Sequence, residues 1–133
     1  MDLTTWIATV EADINRRPGL AERTWAWAYL IRAIALTDLL TAPPGQMTDA
    51  VWVEPQMAWT MDDLVDAGVR TPPPAVPDVA AGDVRAVLTA ALRRLILVAS
   101  EDDPRLPMPL VDACGYAVRR AALAHHAYAG ALP

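Results

Sequence analysis

The chain has 133 residues, a formal net charge of −5 and a hydrophobic fraction of 54%, which predicts a single domain over residues 1–133 that can bury a core without metal or disulfide bonds. Lysine and phenylalanine are both absent. The lack of lysine excludes enzymes that form a Schiff base on that residue, and it also removes the phosphate-binding lysine of a P-loop. The negative charge argues against general nucleic-acid binding, which needs a basic face.

Three features predict a cytoplasmic protein without a membrane partner. The only cysteine, Cys114, cannot form an internal disulfide, as is usual in a reducing compartment. The polar, acidic start MDLTTW lacks the features of a signal peptide. The longest apolar stretch, residues 25–40, is interrupted by Arg32 and Asp38 and is short for a membrane span.

The composition, rich in Arg, Ala and Pro, indicates a GC-rich bacterial or phage genome.

Proline-containing breaks divide the chain into segments with helical hydrophobic periodicity. The predicted helices cover about residues 3–16, 20–41, 55–67, 79–100 and 109–129, and a proline-rich connector covers residues 71–78. The fold class predicted from this pattern is all-α: a compact bundle of four to five helices with one proline-rich crossover.

The second predicted helix, residues 20–41, carries large side chains in two opposite directions. At ~100° per residue, Trp25 and Trp27 lie ~200° apart. One side is apolar and predicts a core face: Trp27, Leu30, Ile31 and Ile34. The other side contains residue types that are enriched at binding hot spots: Trp25, Tyr29, Arg32 and Leu36.

This double-faced helix has three interpretations. It is the central helix of the bundle, with both faces internal. Alternatively, the face that contains Trp25 is a surface for self-association or for a protein partner. In the third interpretation this face forms the wall of a small-molecule pocket, together with Trp52 or Trp59.

The third helical segment contains three acidic residues in a DDxxD arrangement: Asp62, Asp63 and Asp66. They fall within about one helical turn and could face one Mg²⁺ ion, as in prenyl-diphosphate enzymes, but those chains are longer and have a second acidic helix. The favoured alternative makes Thr60 an N-cap, with the acids stabilising the start of a helix. A short turn or helix is predicted at residues 48–53, Pro55 in the first helical turn and Gly68 as the C-cap.

The connector TPPPAVPD spans ~25 Å if it is extended, at ~3.1 Å per residue. The third and fourth helices therefore need not be neighbours. Asp78 is the predicted N-cap of the fourth helix. The segment from Leu95 to Ala99 at the other end is apolar on all sides, which predicts that the bundle covers this end completely.

The fifth predicted helix has Pro109 in its first turn and Gly130 as its stop. Cys114 is predicted to be a small buried residue and not a reactive thiol, because no neighbouring His or Lys would lower the pKa of its thiol. The adjacent His125 and His126 point ~100° apart on a helix, so they cannot bind one metal ion as an i, i+4 pair would.

The sequence favours a non-enzymatic helical interaction module: an accessory subunit, an assembly factor or a homo-oligomeric adaptor. It assigns no catalytic residue, no cofactor and no nucleic-acid partner. The residues predicted to form an interface or a pocket are Trp25, Tyr29, Arg32, Leu36, Trp52 and Trp59. The alternative is a small-molecule-binding protein or small helical enzyme with an aromatic pocket, in one version metal-dependent through Asp62, Asp63 and Asp66.

Overall fold

A computed structural model describes residues 1–46 and 48–130 of the chain. Its five α-helices are α1 (Leu3–Ile14), α2 (Leu20–Thr41), α3 (Glu54–Asp66), α4 (Val84–Ala99) and α5 (Met108–Gly130). Short 3-10 turns at Asp49–Trp52 and Ala81–Asp83 precede α3 and α4. The predicted all-α bundle is confirmed, with no strand among these residues. The expected stop after Gly130 concerns residues 131–133, which lie outside the described ranges.

Four of the helices form a closed ring, in which α2 packs on α3, α3 on α5, α5 on α4, and α4 on α2. α3 and α4 are consecutive along the chain but lie diagonally across this ring. α1 packs on the outside, against α4 and α2. The long connector makes this order possible, because it lets the chain pass from α3 to α4 without placing them side by side.

The proline-rich connector runs along α1 in the opposite direction. Near the end of α1, the Arg17 guanidinium donates a hydrogen bond to the Pro72 carbonyl at 2.6 Å. Near its start, the Trp6 indole N–H donates to the Pro77 carbonyl at 3.3 Å. Five extended residues cover ~15 Å, which is close to the ~12 Å that α1 rises from Trp6 to Ile14, extended by the turn that leads to Arg17. The connector therefore fastens α1 to the bundle.

α2 contacts all four other helices. Its predicted core face is confirmed, since four large side chains are buried there: Trp27, Leu30, Ile31 and Ile34. Several alanines of α2 are also fully buried, and their small size lets neighbouring helices approach closely: Ala21, Ala26, Ala28 and Ala35.

Gly68 caps the C-terminal end of α3, as predicted from the sequence. Gly68 has φ +112° and donates its N–H to the Val65 carbonyl at 3.0 Å. The next residue, Val69, donates to the Leu64 carbonyl at 2.9 Å, and both Val69 and Leu64 are buried. This is a Schellman motif, in which glycine supplies the left-handed conformation and an apolar contact closes the turn.

Two predictions about α4 were wrong. α4 begins at Val84, because the chain is still extended at Ala80 (φ −64°, ψ 142°) after it has passed Trp6; Asp78 is therefore not its N-cap. The other end is not covered on all sides, since Leu97 is 70% exposed. α4 packs on α1, α2 and α5, and these neighbours leave one side open.

Candidate interaction surface

The predicted interface residues of α2 lie within the bundle more than on its surface. Trp25, Tyr29, Arg32 and Leu36 are all half-buried. The rings of Trp25 and Tyr29 stack, with centroids 5.3 Å apart and an interplanar angle of 27°. The Arg32 guanidinium donates to the Glu54 carboxylate of α3 at 3.2 Å. This arrangement favours the central-helix interpretation of α2.

The other two predicted residues, Trp52 and Trp59, lie in the open. They are 54% and 55% exposed, whereas Trp6 and Trp27 are 1% and 3% exposed. Trp52 ends the 3-10 turn before α3, and Trp59 lies in the middle of α3. Two large indoles are therefore left in contact with water on one segment of the chain.

The two tryptophans point to the same side because the helical phase continues from the 3-10 turn into α3. Buried residues recur at three–four spacing through both elements: Ala50, Val53, Met57, Thr60 and Leu64. Trp52 and Trp59 are seven residues apart, so they lie within ~20° of each other on the opposite side. A second row with three–four spacing follows from this phase: Trp52, Pro55, Trp59, Asp62 and Asp66. We call this row the outer stripe of α3.

The acidic half of the outer stripe lies at the wrong end of the helix to stabilise it. Thr60 is not an N-cap; its hydroxyl is buried inside α3 and donates to the Gln56 carbonyl at 2.8 Å. α3 already begins at Glu54, so Asp62 and Asp66 fall in its last two turns, and the helix dipole disfavours the charge of Asp66 in the final turn. Both are exposed, and neither has an ion-pair partner within the described ranges.

Nearby cations are already engaged by other groups. The Arg120 guanidinium of α5 donates to Asp63 at 2.5 Å, which joins α5 to α3. Arg70 donates to the Val65 carbonyl at 2.8 Å and so offsets part of the negative end of α3. Asp62 and Asp66 remain as carboxylates that these arginines do not contact.

The metal-dependent alternative is not supported by the placement of these acids. Among the described residues, no group of three or more His, Cys, Asp or Glu side chains is arranged so that it could hold a metal ion. The physical reason is local, since Asp63 turns towards Arg120 on α5 while Asp62 and Asp66 point outwards.

The remaining chemically versatile side chains have structural environments. Cys114 is buried, as predicted, and burial raises the pKa of its thiol. The Ser100 hydroxyl donates to the Ile96 carbonyl at 2.6 Å. Arg93 donates to Nε2 of His125 at 3.1 Å; burial, together with the charge of Arg93, lowers the pKa of this imidazole. His126 is exposed.

A comparison with protein families, with curated proteins and with solved structures finds no significant match to this chain. Within the described part of the chain, every helix is too short or too polar to cross a membrane.

Sequence reasoning placed Trp52 and Trp59 in the candidate site but missed their alignment with Pro55, Asp62 and Asp66. The missing signal was the three–four spacing of the buried residues through the 3-10 turn. The alternation of Val51, Trp52 and Val53 resembles a short strand, and this obscured the helical phase.

Proposed function

We propose that this chain is a non-enzymatic interaction module, such as an accessory subunit or assembly factor. Its outer stripe of α3 binds a protein segment that carries apolar and basic side chains. The observation that carries this proposal is the alignment of two half-exposed tryptophans with two unpaired carboxylates on one helix face.

The apolar half of the stripe supplies binding energy. A tryptophan buries ~150–250 Å² when it is fully covered. Trp52 and Trp59 are 54% and 55% exposed, so a partner could remove ~100 Å² of each from water. At ~25 cal/mol per Å², this corresponds to ~2.5 kcal/mol per indole. Tryptophan is also among the residues most enriched at hot spots of protein interfaces.

The acidic half supplies the choice of partner. Asp66 lies in the last turn of α3, where the helix dipole disfavours its charge, and a cation placed beside it would relieve this cost of ~0.3–1 kcal/mol. Asp62, one turn earlier, adds a second carboxylate without an ion-pair partner in the described ranges. The net charge of −5 opposes association between two copies of the chain. These charges favour a different, basic partner, and they predict that binding weakens as the salt concentration rises.

The test is a selection of binding peptides from a random display library, with the wild-type chain as bait. We expect the selected peptides to combine aliphatic or aromatic residues with Arg or Lys. Trp52→Ala and Trp59→Ala should each weaken their binding by about tenfold or more, because truncation of a hot-spot residue costs ~2 kcal/mol. Asp62→Asn with Asp66→Asn should weaken binding and remove much of its salt dependence.

Leu97→Ala is the matched control, since Leu97 is also a highly exposed apolar residue but lies on α4. It should leave peptide binding unchanged. Peptides that bind Trp52→Ala and Trp59→Ala variants as tightly as the wild type would refute the proposal, provided that circular dichroism shows intact helices. Light scattering on the wild type tests the homo-oligomer alternative, which predicts a dimer that the same substitutions dissociate.

A further inference from the structure

A cavity of about 400 Å³ lies where three parts of the chain meet. The last two turns of α2 form one wall, the end of the proline-rich connector forms another, and the start of α4 forms the third, which leaves the site open to solvent on one side. Apolar side chains make up most of its surface, including Ile34, Val76, Val79 and Val84. A cavity of this size and character is in the range that proteins use for small organic ligands.

All four polar side chains on its walls present hydrogen-bond acceptors. Asp38 and Asp78 contribute carboxylates, and an ionised carboxylate can accept hydrogen bonds but cannot donate them. The other two are threonines whose hydroxyl hydrogens are already used on the backbone of α2. Thr37 donates to the Ala33 carbonyl at 2.9 Å, and Thr41 donates to the Thr37 carbonyl at 2.8 Å. Their oxygens can therefore only accept from a ligand.

The electrostatic environment is also negative. Asp38 and Asp78 have no ion-pair partner in the part of the chain that the structure describes. Arg85 lines an adjoining cavity that shares Asp38, Ala81 and Val84 with this one. Arg85 is already engaged, since it pairs with Asp49 and donates to the Tyr128 carbonyl at 2.8 Å.

We propose that this cavity binds a small organic amine. The ammonium group donates hydrogen bonds to the Asp38 carboxylate and to the free lone pairs of Thr37 and Thr41, and the hydrocarbon body packs against the apolar walls. An ammonium supplies three donors and no acceptor, which matches polar side chains that only accept. A carboxylate or phosphate ligand would be repelled by the negative charges of Asp38 and Asp78. A neutral alcohol could donate a hydrogen bond to Asp38 but would lack the positive charge that strengthens the bond from an ammonium group.

This site is separate from the outer stripe, because no residue of α3 lines the cavity. It is also chemically different from a metal site. The described residues provide no three-ligand group for a metal ion, and a metal would leave the apolar walls unused. The apolar lining requires a ligand with a hydrocarbon part.

The test compares three compounds with the same aromatic body and different charge: phenethylamine, 2-phenylethanol and 3-phenylpropionate. Binding is followed by two-dimensional amide NMR and by thermal shift, since a ligand of the folded state raises the apparent stability. We expect phenethylamine to bind at least about tenfold more tightly than the other two, which is the value of one charge-assisted hydrogen bond. The shifted amide signals should belong to Thr37, Asp38, Asp78 and Val79.

Two variants test the two halves of the site. Asp38→Asn should weaken phenethylamine binding by about tenfold to a hundredfold. Val76→Trp keeps every carboxylate but replaces a partly exposed lining residue with a much larger side chain, and should abolish binding. Asp102→Asn, at an exposed carboxylate in the loop after α4, is the matched control and should bind normally.

Three results would overturn the proposal: no binding of phenethylamine, equal binding of 2-phenylethanol, or unchanged binding by Asp38→Asn. If Asp38→Asn fails to fold, Val76→Trp decides, and unchanged binding by that variant overturns the site. These results do not bear on the proposal for the outer stripe of α3, because peptide binding to that stripe is measured in a separate experiment.

Discussion

Replacement of Trp6 and of Trp59 by alanine makes the same chemical change at two very different positions. Trp6 is 1% exposed, and its indole N–H donates to the Pro77 carbonyl, so it joins α1 to the connector. Trp59 is 55% exposed and lies on the outer stripe of α3. The pair therefore tests whether burial and the connector contact, rather than residue type, determine how much a tryptophan stabilises this fold.

The expected loss of stability is larger for Trp6→Ala than for Trp59→Ala. Removal of a buried indole of ~150–250 Å² at ~25 cal/mol per Å² costs ~4–6 kcal/mol as an upper bound, and buried Trp→Ala substitutions in proteins cost ~3–5 kcal/mol. We expect a value in this range for Trp6→Ala. For Trp59→Ala about half the area is lost, and the higher helix propensity of alanine returns ~0.5 kcal/mol, which leaves a loss of less than ~2 kcal/mol.

Urea denaturation followed by circular dichroism measures both free energies of unfolding. Hydrogen exchange then locates the effect: in Trp6→Ala, the amides of α1 should lose protection before those of α3 and α5, because α1 packs outside the ring. Equal destabilisation by the two substitutions would refute this reasoning, as would a uniform loss of protection in Trp6→Ala.

The remaining predictions concern two glycines and one tyrosine. Gly68→Ala should lower the free energy of unfolding by ~1–2 kcal/mol, because φ +112° is strained for alanine. Gly115→Ala inside α5, where an added Cβ meets open space, should raise the free energy of unfolding by ~0.5–1 kcal/mol. Denaturation curves that show the same sign for both substitutions would contradict this assignment. Burial, assisted by the charges of Asp38 and Asp49, raises the pKa of Tyr128 from 10.0 to about 12. As the pH rises, the unfolded chain loses the Tyr128 proton before the folded chain does, so the free energy of unfolding should fall between pH 10 and 12. Tyr128→Phe should remove that fall. An unchanged pH profile in the variant would show that another group is responsible.

Much of the fold was accessible from local patterns. The bounds of α2 agree with the structure, because its apolar periodicity is long and Pro18-Gly19 and Pro43-Pro44 limit it on both sides. Gly68 ends α3 as predicted, because only glycine adopts that conformation easily. The start of α4 was misplaced because the connector remains extended to hold Trp6, a contact between residues 71 positions apart.

The candidate sites depended more on the tertiary structure. Arg32 belonged to a predicted interface, yet it pairs with Glu54 of the neighbouring helix. The amine cavity combines α2, the connector and α4, and no local pattern brings Asp38 and Asp78 to one wall. Pairings of this kind depend on which helices are neighbours, and the sequence pattern does not encode that order.

By itself the sequence determined the helices, their approximate ends and the double-faced character of α2, because periodicity, proline and glycine act within a few residues along the chain. The tertiary structure decided which apolar side chains stay in water. Trp25 and Trp59 have the same chemistry and both lie on helices, but the ring of helices shelters the first and leaves the second open. The physical reason is that burial is a property of neighbours in space, and the crossover between α3 and α4 sets those neighbours.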